Sequence, residues 1–339
     1  MKIVIVAPVP SNRGGISNWI KIITDNRNKF DDNEIIHLPT YKYKSSNNKR
    51  PFMEKYIKNF FDIFRVKKGF KKIISENSVD VLHITATGGM SVFRDLSLIK
   101  IAKKHKIKVV YHLHYGKINE QLAKNNRLIL KILSLVDSVW CLDKQSVNSC
   151  KERFPKKKIH QVPNFIKCDA FEDKKKDNII LFIGWVVKTK GVEELIAAWQ
   201  NIKIKHNNFQ LKFIGPIDDD YFNFLNENYN LKGIDFLGRL DHEKTLEILG
   251  KSSIFILPSH TEGFPNVVLE SMLMKTPIIA TDVGAIRDIL NDTGIVIPVR
   301  DEQSIFNSIV NLIKNPELRN ELSNKAYQRV RNNYDITEM

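Results

Sequence analysis

Short apolar runs rich in Val, Ile and Leu recur along this chain, each closed by a turn-forming stretch and most followed by a segment with helical spacing. In the first half they are Lys2 to Ala7, Val79 to Thr85, Lys108 to His114, Val136 to Leu142 and the run from Lys158. In the second half they are Asn178 to Val187, Gln210 to Gly215, Ile234 to Leu237, Ser253 to Pro258, Pro277 to Thr281 and Gly294 to Pro298. Runs without polar alternation are strands covered on both faces. Strand alternating with helix is the pattern of a doubly wound parallel sheet. Such sheets collect ligands beyond the carboxyl ends of their strands, so the loops there are the places to look for chemistry.

With 339 residues, 42% of them hydrophobic, the chain is long enough for two domains with their own cores. No apolar run approaches a membrane span, and the opening Met1 to Val6 reads as a first strand rather than a signal peptide. The odd set Cys141, Cys150 and Cys168 lacks metal-ligand spacing and fits a reducing cytosol. The net charge of +15 is uneven. Residues 1–166 hold 32 Lys and Arg against 13 Asp and Glu, a balance of +19, while residues 167–339 stand at −4. A basic first half points to an anionic partner.

The loop after Ser253 to Pro258 is the richest. Ser259 to Pro265 is turn-forming, and Asn266 to Lys275 has the apolar content of a well-buried helix, with Pro265 placed as a first-turn proline. Free amides at that helix start, with Gly263 allowing close backbone approach, attract an anion such as a diphosphate. Glu262 precedes the helix and Glu270 lies within it, so the two carboxylates address different parts of one ligand. The inferred ligand is a nucleotide diphosphate carrying a second polyol.

Glu262-Gly263-Phe264-Pro265-Asn266-Val267-Val268-Leu269-Glu270 resembles the E-x7-E signature of the retaining glycosyltransferase family 4, and the resemblance covers nearly the whole chain. It implies the GT-B fold, two facing Rossmann-like domains with a cleft between them. The domains would be an acceptor domain over 1–166, a donor domain over 167–320 and a helical segment over 321–339, the last returning toward the first domain. By resemblance, Glu270 holds ribose hydroxyls, Glu262 the transferred sugar, and the amides from Gly263 to Val267 the diphosphate. Lys190, in the Lys188-Thr189-Lys190-Gly191 turn, resembles the lysine that pairs with the donor diphosphate. Trp185 stands where many relatives have an arginine. Gly238-Arg239-Leu240 matches the place where relatives receive the base, and Thr281 to Ala285 their sugar-side glycine loop.

In the first half, Gly14-Gly15 before a helix resembles the family's phosphate-closing loop, although such a pair is also an ordinary strand-to-helix turn. Thr87 and Gly88 fall at a strand end in the expected acceptor site. His112 and His114 point to one side of their strand, so a zinc pair is conceivable, without an apparent third ligand. The family often has a sugar-contacting histidine there, and His114 matches it better than His112. Tyr41 to Lys72 interleaves basic residues with Phe52, Tyr56, Phe60, Phe61, Phe64 and Phe70, and Ile57, Phe60, Phe61 and Phe64 form a stripe at helical spacing. That stripe suits either the core or anionic lipid.

The expectation is therefore a metal-independent, cofactor-free retaining transferase. It moves a sugar from a UDP-sugar or similar donor to a glycan or polyprenyl-linked saccharide in cell-surface polysaccharide assembly. It would be cytoplasmic and peripheral on the inner membrane face. No nucleic-acid motif accompanies the basic half. The sugar, the base, the linkage and the oligomeric state stay open. The alternatives are a sugar-nucleotide epimerase of the same fold, which would convert donor without acceptor, and a donor-binding protein without turnover.

Overall fold

A computed structural model describes residues 1–10, 15–27, 33–40, 52–116, 118–168 and 174–337, with side chains of the helix at 52–76 described from residue 62. Gly14, the stretch 41–51 and the side chains of Phe52, Tyr56, Ile57, Phe60 and Phe61 lie outside the described residues, as does part of the expected linker. The chain divides into two compact units, Met1–Asn164 and Phe165–Met339.

The first unit runs β1 (Lys2–Ala7), α1 (Gly15–Asp25), β2 (Glu34–Pro39), α2 (Phe52–Glu76), β3 (Val81–Ala86), α3 (Ser91–Lys104), β4 (Lys108–Leu113), α4 (Ile118–Ala123), α5 (Arg127–Leu135), β5 (Ser138–Cys141), α6 (Lys144–Arg153) and β6 (Lys158–Gln161). Its six strands are all parallel, in the order β2-β1-β3-β4-β5-β6. Val4, Val6, Leu82, Ile84, Val109 and Tyr111 are fully buried, because helices cover both faces of the inner strands. β2 was not among the expected strands. It sits at the sheet edge with mostly half-buried side chains, so its sequence lacks a long apolar run. Among the described side chains of α2, those facing the core are Val66 and Phe70, with Ile73 and Ile74 packed beside them. Phe64, which spacing groups with Ile57, Phe60 and Phe61 in a stripe suited to either the core or anionic lipid, is 55% exposed.

The second unit runs β7 (Asp177–Ile183), a single 3-10 turn at Lys188–Lys190, α7 (Val192–Lys205), β8 (Gln210–Ile214), α8 (Asp219–Asn228), β9 (Ile234–Phe236), α9 (His242–Lys251), β10 (Ser252–Leu257), α10 (Asn266–Leu273), β11 (Ile278–Thr281), α11 (Ile286–Leu290), β12 (Ile295–Ile297), α12 (Glu302–Lys314) and α13 (Pro316–Tyr334). Its order is β12-β11-β10-β7-β8-β9, again all parallel. β10 lies between β11 and β7, and all six of its residues are buried. The adjacency of β7 and β10 fixes the site, because the loops leaving their carboxyl ends must then be neighbours.

α13 buries Leu322, Ala326, Val330 and Tyr334 at four-residue spacing and packs on α10 and α12. The segment 321–339 set apart in the sequence thus begins within α13. Tyr334 meets Phe264 edge-on, with ring centroids 6.0 Å apart, behind the start of α10. Arg329 donates to the carbonyls of Ile289 and Asp288 at 2.7 and 2.8 Å and closes the end of α11. Lys176 donates to the carbonyls of Gly250 and Met274 and to Thr276 Oγ1, tying the start of β7 to the elements around β10.

Candidate active site

At the carboxyl ends of β7 and β10 two loops are joined. The His260 amide donates to the Thr189 carbonyl at 2.9 Å, and the imidazole Nε2 of His260 donates to Glu194 Oε1 at 2.9 Å. Gly191, with φ +68°, closes the 3-10 turn so tightly that a Cβ there would stand 2.0 Å from the Pro258 carbonyl oxygen. Across this seam Lys190 Nζ donates to Glu262 Oε1 at 2.6 Å, and Ser259 Oγ donates to the same oxygen at 2.7 Å. The side chains keep 25% and 12% of their surface, so the pair is sheltered yet open on one side.

A third loop supports Glu262 from beneath. The Ala285 amide donates to the Gly263 carbonyl at 2.9 Å. Gly284 has φ +56°, and a Cβ on it would lie 2.5 Å from the carbonyl oxygens of both Glu262 and Gly263. Only glycine lets the two loops approach this closely. The expected sugar-side glycine loop therefore lies directly against the signature loop.

Pro265 is the N-cap residue of α10 rather than its first turn, with φ −77° and ψ 105°, and among the described residues no side chain caps the helix. An uncapped helix start presents its amides and the positive end of its dipole. Phe264 is buried, Asn266 is nearly so and Val267 half-buried. Glu270 lies on the second turn, and its side chain keeps 16% of its surface. Among the described residues no group donates a hydrogen bond to its carboxylate; the nearest cation-capable atom is His242 Nε2 at 3.8 Å. Burial raises the Glu270 carboxyl to about 7. Such a carboxylate lacks the hydrogen-bond donors that the hydroxyls of a polyol could supply.

The remaining second-unit residues line the same carboxyl edge. Trp185, just after β7, is 63% exposed. Gly238, with φ +64°, follows β9, and its carbonyl accepts from the Gly215 amide at 2.8 Å. Arg239 is exposed and Leu240 half-buried. The expectation of metal independence rests on the absence of an Asp-x-Asp cluster, and Asp218-Asp219-Asp220 is such a run, which removes that ground. Asp218 caps α8, accepting from the Asp220 amide at 3.1 Å. Among the described residues no three His, Cys, Asp or Glu side chains converge on a metal-sized point.

In the first unit Gly15 opens α1. Thr87 is exposed and donates to Ser91 Oγ at 3.0 Å, and Gly88, with φ +72°, accepts from Ser91 Oγ at 2.8 Å. His112 is fully buried, and its Nε2 donates to the Val162 carbonyl at 3.2 Å. It is a core histidine, with no surface for an acceptor. Its ring is 4.0 Å from that of His114 and 5.4 Å from that of His83. Burial lowers His83 to about 4 and His114 to about 3, and pushes His112 well down, so all three are neutral. Among the described residues, His83 Nε2, His112 Nδ1 and His114 Nε2 have no hydrogen-bond partner.

Residues 167–329 match the family model of the glycosyl transferases group 1. The match takes in nearly all of the second unit. The matched span holds Lys190, Glu262 and Glu270 together. Over 276 residues, 79% of its length, this chain is 28% identical to the capsular polysaccharide biosynthesis glycosyltransferase CapM of Staphylococcus aureus. The aligned region spans 63% of that relative's length.

The likeness in fold takes in both units. Sucrose-phosphate synthase from Thermosynechococcus elongatus superposes with a TM-score of 0.77 at 16% identity, over 98% of this chain and 95% of that one. HepE from Anabaena, in complex with UDP, does so with a TM-score of 0.72 at 14% identity, over 99% and 96%. The fold is GT-B, built from two Rossmann-like units.

Proposed function

We propose that the chain is a retaining glycosyltransferase of family 4 that uses a nucleoside diphosphate sugar, with UDP-sugars the first class to test. The observation that carries this reading is the Lys190–Glu262 pair beside an uncapped helix that also presents a desolvated carboxylate without a protein donor. The diphosphate takes the α10 amides and the Lys190 ammonium, Glu262 reads hydroxyls of the transferred sugar, and Glu270 takes those of the ribose. Charge on the diphosphate grows as the glycosidic bond breaks, so a cation and a helix start fixed in advance lower that barrier more than they favour ground-state binding.

The acceptor oxygen forms its bond to the anomeric carbon as the bond from that carbon to the diphosphate oxygen breaks. The acceptor proton passes to a diphosphate oxygen, and the sugar keeps its configuration. Lys190 and the amides supply the charge stabilisation without a metal. The named relative in capsule synthesis supports an acceptor that is a glycan or lipid-linked saccharide. Transfer from labelled sugar nucleotides to a polyprenyl-linked saccharide pool tests the reading. Conversion of the donor to an epimer without any acceptor would overturn it.

We also place the basic first unit on an anionic membrane at the cytoplasmic face. α2 and α3 are neighbours, and both lead into paired strands, Val81 opposite Lys108. Phe64 stands twelve residues before the end of α2 and Phe93 eleven before the end of α3. At about 1.5 Å per residue, the two aromatics lie at nearly the same level. They are 55% and 57% exposed, and Lys68, Lys71, Lys100 and Lys104 on the same helices are exposed without an ion-pair partner among the described residues. Exposed aromatics with unpaired lysines fit a headgroup layer. Among the described residues no helix is long and apolar enough to cross a membrane.

A further inference from the structure

The Glu270 carboxylate is desolvated, ends a flexible side chain and meets no protein hydrogen-bond donor among the described residues. A glutamate side chain has several rotamers open to it, and a ligand that needs one of them bears the cost of ordering it. One group is placed to reduce that cost. His242 is the first residue of α9, and its Nε2 lies 3.8 Å from Glu270 Oε1.

The position of His242 is set from two sides. Asp241 caps α9, accepting from the Lys244 amide at 2.8 Å, while Thr245 Oγ1 donates to the Asp241 carbonyl at 2.7 Å. Ahead of it, the Leu237 amide donates to the Phe213 carbonyl at 2.9 Å, and the Gly238 carbonyl is held by Gly215, so the loop from Gly238 to His242 is pinned to the sheet at one end and to the cap of α9 at the other. Thr245, Leu249 and Gly250 bury the inner face of α9. The imidazole and the carboxylate keep 28% and 16% of their surface, so both reach the surface from neighbouring helices. At 3.8 Å the imidazole stands beside the carboxylate, beyond hydrogen-bond distance, so it limits where the carboxylate can go without occupying its lone pairs, which leaves them for hydroxyl donors.

We propose that His242 is a positioning residue for nucleotide recognition, holding Glu270 in the orientation that takes the sugar hydroxyls of a nucleoside diphosphate. The inference rests on the donor site described above. It adds a residue that belongs to no recognised motif and opens the helix directly after the loop matched to base binding. His242 acts through Glu270, so its removal weakens the binding of donor and leaves the chemical step in place.

The test is calorimetric titration of the whole protein with uridine, guanosine and adenosine diphosphate, followed by steady-state transfer with the sugar nucleotide of the base that binds. For His242→Ala the expected loss of affinity is about three- to tenfold, the worth of one side chain left unordered, with KM rising in step and kcat within about twofold of wild type. His242→Gln keeps a donor nitrogen and is expected to recover most of the loss, which a purely packing role for the ring would not give. His206→Ala, at the far end of α7, serves as the control. If wild type binds none of the three diphosphates, the donor-site reading falls and this inference with it. If wild type binds and folded His242→Ala binds equally well, or loses kcat rather than affinity, the inference alone is overturned.

Discussion

Lys190 and Glu262, separated by 72 positions in the chain, meet at 2.6 Å because β7 and β10 are adjacent strands whose carboxyl-end loops share a seam. Removing either partner leaves the other charge sheltered and less well met. Lys190→Ala is expected to cost about 1–3 kcal/mol of stability and to reduce transfer by about a hundredfold or more. Glu262→Ala is expected to lose transfer as well, with a smaller effect on folding because Lys190 can turn to solvent. Chemical denaturation and initial rates on both variants check this, and full turnover in both would remove the assignment.

Gly284 carries the signature loop on its backbone. Gly284→Ala places a methyl group 2.5 Å from two carbonyl oxygens at a φ of +56°. The expected result is a loss of more than about 2 kcal/mol in the denaturation midpoint together with lost transfer, since Glu262 moves with its loop. A variant with wild-type stability would show that the loop is not held there.

Glu270 sets stability against binding. Its carboxyl is raised from 4.5 to about 7, so the unfolded chain gives up this proton first. The folded form is therefore favoured by this group at low pH, and that advantage is lost as pH rises from 4.5 through 7. Glu270→Gln is expected to raise the melting temperature at pH 8, by the equivalent of about 2–3 kcal/mol, while weakening nucleotide binding. Wild-type affinity is expected to grow between pH 6 and 8 as the carboxylate ionises; melting and titration across about that range read both effects.

The neutral histidines of the first unit act in the opposite direction. His83 is lowered from 6.5 to about 4 and His114 to about 3 by burial, so below pH 6.5 the unfolded chain takes protons that the folded unit refuses. Stability is expected to fall steadily from pH 6.5 toward 4, with about 2–3 kcal/mol lost per histidine near pH 4.5. His83→Phe is expected to flatten that slope in pH-dependent melting of the first unit, monitored through Trp19 and Trp140, which pack against these rings.

For the membrane face, sedimentation with phosphatidylglycerol vesicles at low salt is expected to carry the protein down, and neutral phosphatidylcholine vesicles are expected to leave it in solution. Replacing Lys71 and Lys104 by Glu is expected to cut binding by about tenfold or more, at about 1 kcal/mol per lysine. If anionic vesicles fail to sediment the wild type, the membrane assignment is wrong.

How much was legible in the sequence depended on burial. Strands covered on both faces, such as β10 and β4, are continuous apolar runs and stand out; β2, at an edge with half-buried side chains, does not. Glu262 and Glu270 were found because a helix start and its loop are contiguous in sequence. The meeting of Lys190 with Glu262 is set by strand order, which no local window contains. His242 lies 28 positions from Glu270, outside any motif, and only the packing of α9 beside α10 brings them together. Phe64 was grouped with a stripe by spacing, while Val66 and Phe70 take the core, because a helix rich in aromatics on several faces has no single legible apolar side. Pairing of Ser259 with Glu262 could have been read from their three-residue spacing within one turn.

The most direct test is thermal melting of the wild type and of Lys190→Ala with UDP-, GDP-, ADP- and dTDP-sugars. One nucleotide class at about a hundred times its Kd is expected to raise the wild-type Tm by several degrees, and that shift is expected to vanish in Lys190→Ala. A wild type whose Tm moves with none of them, or a shift that survives in Lys190→Ala, would contradict a diphosphate site built from the Lys190 turn and the start of α10.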